Sequence, residues 1–323
     1  MAAAKFIAKR LAEFVVSIAV LSFVVFSLLF LSPGDPARVL VGTKSVNPDL
    51  LASIRAEYHL DDPFFSQYFR WLGNALHGDF GQSIKTEVPV TEMIGPYLKI
   101  TVELVLFSLI LALIIGLLLG VIAAKRRGTK LDGAINAFAL LGTSAPSFAV
   151  GLLLLYVFAY LLGWFPIYGS GDGGFLDTIN HLTLPAISLT FVVCAMLIQI
   201  TRSSMLGQID KDYAIFMQAR GVKPLRITTA QLRNASGPIL TSIGLLLANL
   251  FGATILIETT FALPGLGNLL ASSVTMKDVP VVQFVTMVLA VMICLSSAVV
   301  DIAVYFADPQ SRSFKRLKLG AES

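Results

Sequence analysis

Two short stretches of this sequence combine glycine, lysine and a hydroxyl residue, which are the residue types of a phosphate-binding loop. Residues 42–45 read GTKS and residues 128–130 read GTK. Neither has the G-x-x-x-x-G-K-[ST] spacing that lets backbone amides surround a phosphate. We therefore predict that this chain binds no cofactor, and that any ATP hydrolysis it depends on takes place on another polypeptide.

Catalytic and metal-binding side chains do not converge in the sequence. The three histidines, His59, His77 and His181, lie outside the long apolar runs, and no Ser/His/Asp set or pair of carboxylates stands out. Cys194 and Cys294 lie inside apolar runs, where a free thiol behaves as a small hydrophobic group. No spacing is typical of metal ligands. We predict neither an enzyme active site nor a metal site.

Polar side chains inside the apolar runs are the remaining candidates for chemistry. Such groups are costly in lipid, so they tend to face the interior of a helical bundle or a solute pathway. For the hydroxyl residues the alternative is a hydrogen bond to the preceding turn of their own helix. Glu258 lies close to the end of its run, where water could reach it. The predicted pathway residues are Asn136, Thr143, Ser144, Ser147, Gln199, Asn249 and Glu258.

Composition and run length identify lipid as the solvent of this chain. Hydrophobic residues make up 56% of it and charged residues 14%, whereas soluble domains carry roughly 25% charged residues. A helix needs about 20 apolar residues to cross the hydrocarbon core, and the runs lack the alternation of transmembrane β-strands. We predict an all-α integral membrane protein with six transmembrane helices, at residues 11–31, 100–124, 134–164, 184–205, 239–263 and 281–306.

The first apolar run has a secretory signal as its alternative interpretation. Lys5, Lys9 and Arg10 precede it, but the run is long and no small-x-small cleavage pattern follows it. We expect a retained membrane anchor. The predicted organisation is therefore an N-terminus and first helix (1–31), an extracytoplasmic segment with short helices (32–97), a five-helix core (98–308) containing a cytoplasmic loop (207–237), and a cytoplasmic tail (309–323).

Basic residues concentrate on one side of this six-helix topology. They precede the first helix, follow the second at residues 125–130, occupy the connection between the fourth and fifth helices from Arg202 to Arg233, and recur in the tail. By the positive-inside rule that side is the cytoplasm, so we predict that both termini are cytoplasmic. The net charge of +4 reflects this topology and not nucleic-acid binding.

The segment between the first two helices is long enough to form structure outside the membrane. Asn47 and Pro48 suit a helix start, and aromatic and leucine residues recur at helical spacing from Phe65 to Leu76. We expect short amphipathic helices on the outer mouth of the bundle. They pack either against the transmembrane helices alone or also against an external partner.

The connection between helices four and five predicts a helix, a glycine break and a second helix. Asp212 favours a helix start, Gly221 suits a helix C-cap, and Pro224 suits the first turn of the next helix. Tyr213, Phe216, Met217 and Arg220 share one helical face. A short helix of this kind fits a groove on a partner protein, and the alternative is a helix that lies on lipid.

Motifs in a fixed order then indicate a family. They are GDP (34–36), GDFGQS (78–83), GTSAPSF (142–148), HLTLP (181–185), DYA to ARG (212–221) with LRN (232–234) and Pro238, and ETTF (258–261) with PGLG (264–267) and DVP (278–280). Over nearly the whole chain the sequence resembles the permeases of dipeptide, oligopeptide and nickel ABC importers. One position departs, because the broad importer signature has Glu-Ala-Ala where this chain has Ile215, Phe216 and Met217.

This resemblance implies a type I ABC importer permease fold with an extracytoplasmic insertion between helices one and two, in a bacterial cytoplasmic membrane. It implies alternating access by two homologous permeases, two cytoplasmic ATPases that bind ATP and Mg²⁺, and an external solute-binding protein. The implied ATPase-coupling residues are Asp212, Tyr213, Phe216, Met217, Ala219, Arg220 and Gly221.

The substrate class that the resemblance implies is short peptides, with nickel chelates, glutathione or oligosaccharides as alternatives. A different class of protein would be an ATP-independent channel or an ion-coupled carrier. Such carriers often have charged residues at the bilayer midplane and paired internal repeats. This sequence shows neither a midplane charge pair nor a clear repeat.

Overall fold

A computed structural model describes residues 2–31, 37–38, 48–57, 59–171 and 174–307. Within these ranges the chain is helical, and its only β-pairing is an isolated bridge between Gln82 and Pro89. The helices are α1 (Ala2–Leu31), α2 (Pro48–Glu57), α3 (Phe64–Leu76), α4 (Val90–Lys125), α5 (Lys130–Ser144), α6 (Ser147–Leu154, continued by a π-helical turn Leu155–Leu161), α7 (Phe175–Ile209), α8 (Asp212–Ala219), α9 (Pro224–Asn234), α10 (Ser236–Thr260), α11 (Leu266–Met276) and α12 (Val279–Ala307).

Five described helices are long and apolar enough to cross a membrane: α1, α4, α7, α10 and α12. A sixth crossing requires the bent pair of α5 and α6, whose axes meet at 105°. The helices begin earlier than the apolar runs predicted. Pro96 lies inside α4 and Pro185 inside α7.

Pro146 breaks the predicted third span. A proline lacks the backbone N–H and disfavours the helical conformation of the residue before it. Ala145 is accordingly extended, with φ −88° and ψ 130°, and ends α5. Pro146 precedes the new helix, and its carbonyl oxygen accepts the backbone N–H of Val150 at 3.2 Å. The resulting bend is larger than a kink.

The chain divides into two compact units, which are described separately. One contains residues 104–167, 171–261 and the chain from Ser296 onward. In it α5, α6 and α10 pack on the largely buried α7. The approach of α5 to α7 is close at Gly142, because an added Cβ atom would lie 2.6 Å from the Cβ of Ala195. Small residues that let two backbones approach are the usual basis of helix packing in membranes.

The other unit contains residues 1–103, 168–170 and 262–295. Its core is a cluster from the start of α4, from α11 and from the first half of α12, with Leu266 and Val285 fully buried. The predicted outer helices are present as α2, which starts at Pro48, and α3; Asn47 lies outside the described residues. The short helix α11, between the fifth and sixth predicted spans, was not predicted from the sequence.

Only part of the predicted apolar face of α3 is buried. Tyr68 is buried, and its hydroxyl oxygen forms a hydrogen bond with the hydroxyl oxygen of Ser22 in α1 at 2.9 Å. Phe65 and Phe69 are exposed. The helical spacing of these aromatic residues was read correctly. The pattern alone could not tell which of two adjacent apolar faces packs against α1.

Candidate coupling surface and pathway residues

The predicted helix, glycine and helix arrangement is present between α7 and α10. α8 ends at Ala219, Arg220 is the C-cap, and Gly221 has φ +71°. The N–H of Gly221 donates to the Gln218 oxygen at 2.9 Å, and the N–H of Val222 donates to the Met217 oxygen at 3.1 Å. This pair of bonds is the Schellman motif, which needs a left-handed residue after the helix. Gly221 therefore turns the chain toward α9, which begins at Pro224.

The outer surface of α8 is apolar and aromatic. Phe216 is 62% exposed and Ile215 is 54% exposed, and Leu225 at the start of α9 is 77% exposed. The Arg220 guanidinium carbon lies 4.8 Å from the centre of the Phe216 ring, a cation–π distance. We call Ile215, Phe216, Arg220 and Leu225 the α8 surface. Contiguous exposed apolar side chains of this kind mark interaction sites.

Opposite this surface, α8 is anchored to its own unit. Ala214 is fully buried, and α9 buries Ile227 and Gln231 while packing on α7 and α8. Two of the predicted coupling residues turn partly inward. Tyr213 is half-buried and donates to the Gln208 side chain at 3.1 Å, and Met217 is also half-buried.

The remaining predicted coupling residues, Asp212, Phe216, Ala219, Arg220 and Gly221, are exposed. Ile215 and Leu225 also belong to the α8 surface, although neither was predicted as a coupling residue. The only sequence signal for Ile215 was that it is apolar where the broad importer signature has Glu.

A bidentate ion pair in this unit joins two residues that no sequence motif had connected. Arg202 of α7 donates from Nε to Asp132 Oδ1 at 2.7 Å and from Nη2 to Asp132 Oδ2 at 2.8 Å. Asp132 lies in the first turn of α5 and is 5% exposed. Its carboxylate also accepts the Gly128 N–H at 3.0 Å. These bonds fix the start of α5 against α7.

Asn136 is the one predicted pathway residue that belongs to this cluster. Its amide donates to Asp132 Oδ1 at 2.7 Å, one turn further along α5. Asn136 therefore has a structural partner within its own unit. Whether it also lines a pathway stays a prediction.

The other predicted pathway residues differ in environment. Thr143 and Ser144 donate to the backbone oxygen of Leu140, and Asn249 donates to the backbone oxygen of Leu245. Each of these three side chains is therefore bonded to the preceding turn of its own helix. Gln199 is exposed, and Ser147 is half-buried at the start of α6. Their role as a pathway stays a prediction.

Glu258 corrects an expectation. Its position near the end of the fifth apolar run suggested contact with water, but the side chain is fully buried in the structure. The helix α10 continues only to Thr260, and its last turns bury Ile257 and Glu258 together. Nearness to a helix end did not expose this carboxyl group, because the side chain points to the packed face of α10.

Two of the sequence motifs meet in the other unit. Asp278, at the start of α12, is 4% exposed and accepts the Ser83 hydroxyl at 2.6 Å. The backbone N–H groups of Ile84 and Lys85 also point to its carboxylate, at 3.2 Å and 3.4 Å. The analysis had quoted both motifs, but nothing in their local sequence showed that they bind each other.

No group of three His, Cys, Asp or Glu side chains in the described ranges is placed to hold a metal ion. The geometry instead combines a bundle of apolar helices with one exposed apolar helix on a basic connection. These features define a multi-pass membrane protein with an exposed, partly apolar helix between two of its crossings. The described residues carry no arrangement typical of an active site.

The chain belongs to the family described as the binding-protein-dependent transport system inner membrane component, whose profile matches residues 116–313. A second profile, for the N-terminal part of such membrane components, matches residues 3–105. The motifs that suggested an ABC permease thus identified the family correctly. A solved structure shows a similar fold. A chain of the MetNI methionine ABC transporter, solved in inward-facing conformations, covers 65% of this chain and 93% of its own length at 18% identity, with a TM-score of 0.53.

Curated relatives extend over almost the entire chain. The di/tripeptide permease DppB of Pseudomonas aeruginosa is 35% identical over 95% of this chain and 98% of its own length. The oligopeptide permease AppB of Bacillus subtilis is 37% identical over 91% and 93%. The dipeptide permease DppB of Escherichia coli is 32% identical over 96% and 99%.

Proposed function

We propose that this chain is a membrane-spanning permease subunit of a bacterial, ATP-driven importer of di- and oligopeptides. The observation that carries the proposal is the extent of the similarity, since peptide permeases match it over more than nine-tenths of both chains. The chain would form the translocation path together with a second, homologous permease. An external binding protein would deliver the peptide.

The α8 surface supports a role in energy coupling. The surface is small, and its Phe216 and Arg220 are residue types that concentrate binding energy at interfaces. ATP would be bound and hydrolysed by two cytoplasmic ATPase subunits that dock on this surface and its counterpart in the second permease. Because α8 is anchored through Ala214 and α9, a movement of the docked ATPase would be transmitted to α7 and α10.

This proposal places the α8 surface and both termini in the cytoplasm. Single cysteines at Gly207 and Ser45 test it in a background without Cys194 and Cys294; Ser45 lies outside the described residues. An impermeant thiol reagent applied to intact cells should label the cysteine at position 45 and spare the one at 207. The reverse labelling pattern would contradict the orientation.

The substrate is tested by transport in a defined system. The chain is purified with its copurifying subunits and binding protein, reconstituted in vesicles, and assayed with a radiolabelled dipeptide in the presence and absence of ATP. ATP-dependent dipeptide uptake is expected. Uptake of a nickel chelate, glutathione or an oligosaccharide with no peptide uptake would overturn the peptide assignment while retaining the importer. ATP-independent flux would overturn both.

A further inference from the structure

The helix α3 carries an apolar face that stays exposed. Phe65 is 62%, Phe69 is 65% and Leu76 is 79% exposed. At 3.6 residues per turn, these three side chains and Leu72 lie within an arc of about 60° around the helix. An aromatic and aliphatic face of this kind is unusual on a helix that meets only water.

The face of α3 next to the exposed one shows what the helix packs against. Tyr68 is buried against α1, where its ring centre lies 5.6 Å from that of Phe26 and its hydroxyl meets Ser22. The helix has one charged residue, Arg70, whose guanidinium pairs with Asp62 at 2.8 Å. Arg70 lies about 100° or more around the helix from Phe69 and Phe65. The exposed apolar face is therefore free of charge.

The contacts with α1 relate α3 to a membrane span. Ser22, Phe23 and Phe26 lie inside the candidate span and in the C-terminal half of the apolar run 11–31. Amphipathic interfacial helices bury their apolar faces near the boundary between headgroups and acyl chains. Contact with one half of α1 would place α3 within a single leaflet.

The exposed faces of α1 and α3 are continuous. The Phe65 ring stacks on Phe23 at a centroid distance of 6.5 Å. Phe23 follows Val16 and Val20 at helical spacing on the exposed side of α1, the side of a membrane span that acyl chains would contact. With 13 residues, α3 is about 20 Å long and too short to cross a hydrocarbon core of about 30 Å.

We propose that α3 is an interfacial membrane helix, whose face of Phe65, Phe69, Leu72 and Leu76 lies among the acyl chains of one leaflet beside α1. The partner is the lipid bilayer itself. This insertion would hold the segment between α1 and α4 at the membrane surface. The inference goes beyond the transport function and does not depend on the substrate.

Spin-label accessibility tests the proposal in the whole complex. Phe69→Cys and Asn74→Cys are made separately in a chain in which Cys194 and Cys294 are replaced by alanine, and each is labelled with a nitroxide. Asn74 is exposed and lies on the opposite side of α3 from Phe65, so it is the matched control. The chain and its copurifying subunits are reconstituted in phosphatidylcholine vesicles, and collisions with oxygen and with a water-soluble nickel chelate are measured.

The label at position 69 should collide mainly with oxygen, which concentrates in hydrocarbon, and several-fold less with the nickel chelate than the label at position 74. Strong collision with the nickel chelate at position 69 would show a water-exposed face and overturn the proposal. Low collision with both reagents would show that a protein subunit covers the face and would also overturn it. Leu76→Cys, on the same face, repeats the measurement if Phe69→Cys disturbs assembly.

Discussion

The guanidinium of Arg202 and the carboxylate of Asp132 form two parallel hydrogen bonds, at 2.7 Å and 2.8 Å, between α7 and α5. Bidentate pairs of this kind are the strongest and most directional ion pairs in proteins. Asp132 is almost fully buried, whereas a quarter of the Arg202 side chain is exposed. The pair therefore holds the start of the broken third span against the helix on which this unit packs.

Asp132→Ala should destabilise the protein strongly, because it leaves Arg202 and the Gly128 N–H without their common partner. Removing one member of a buried pair typically costs about 3 kcal/mol or more. The matched control is Asp210→Ala, which breaks the exposed Arg127–Asp210 pair and should cost about 1 kcal/mol or less. Thermal unfolding in detergent, followed by size-exclusion chromatography, gives both shifts. Equal shifts for the two variants would contradict a structural role of the buried pair.

Gly142→Ala and Gly133→Ala should have opposite effects, although both change glycine to alanine within α5. A Cβ at Gly142 would lie 2.6 Å from Ala195, so the two helices must separate. Gly133 has nothing within 4 Å of an added Cβ, and alanine in a helix interior is favoured over glycine by about 1 kcal/mol. The melting temperature should fall for Gly142→Ala and hold or rise for Gly133→Ala. A rise for Gly142→Ala would show that α5 and α7 are not in close contact.

Ser83→Ala should loosen the loop that Asp278 holds. It removes a buried hydrogen bond to a charged group, which contributes about 1.5–3 kcal/mol. Thr86→Ala is the control, since the exposed Thr86 hydroxyl donates to the Met93 sulfur, a weak acceptor, at 3.4 Å. Limited proteolysis of the purified chain should cut faster between residues 78 and 90 in Ser83→Ala than in the control. Identical cutting rates would indicate that the hydroxyl contributes little.

Glu258→Gln keeps the shape of a fully buried side chain while replacing its carboxyl group with an amide. We expect reduced ATP-dependent uptake with near-normal amounts of assembled transporter, because a buried ionisable group in a membrane helix tends to serve a pathway or a gate. Thr241→Ala is the control on the same helix, because Thr241 is exposed, donates to the Gly237 oxygen of its own helix and is not a predicted pathway residue; it should alter uptake less. Unchanged uptake for Glu258→Gln at normal expression would remove Glu258 from the predicted pathway.

Local features of the sequence predicted local features of the structure. The break at Pro146 and the left-handed Gly221 follow from the chemistry of single residues, because proline lacks an N–H and a left-handed turn favours glycine. The apolar runs located the membrane helices because the length of each run matches the thickness of the hydrocarbon core. The ends of the membrane helices were predicted less accurately. Polar residues such as Asp177 extend α7 toward its N-terminus, beyond the apolar run.

Contacts between distant segments could not be read from the sequence. Asp132 and Arg202 stand on different helices, and the sequence showed only a basic connection that contained Arg202. Asp278 and Ser83 each belong to a motif of the sequence. Their hydrogen bond depends on the direction that the chain takes after α11, which neither motif specifies. The burial of Glu258 likewise depends on which face of α10 packs, and residue order alone does not determine that face.

The coupling role of the α8 surface is the central claim, and Gly221→Val tests it most directly. Valine disfavours the left-handed conformation of Gly221 by about 1 kcal/mol or more, so the turn after α8 should change while the membrane helices stay intact. Gly207→Val is the matched control, because Gly207 lies in a helix with open space around it. ATPase copurification per permease and ATP-dependent peptide uptake are measured in the same membranes. Gly221→Val should insert at near-normal levels and lose most of both quantities, whereas Gly207→Val should keep them. Full ATPase retention and full uptake in Gly221→Val would contradict the claim.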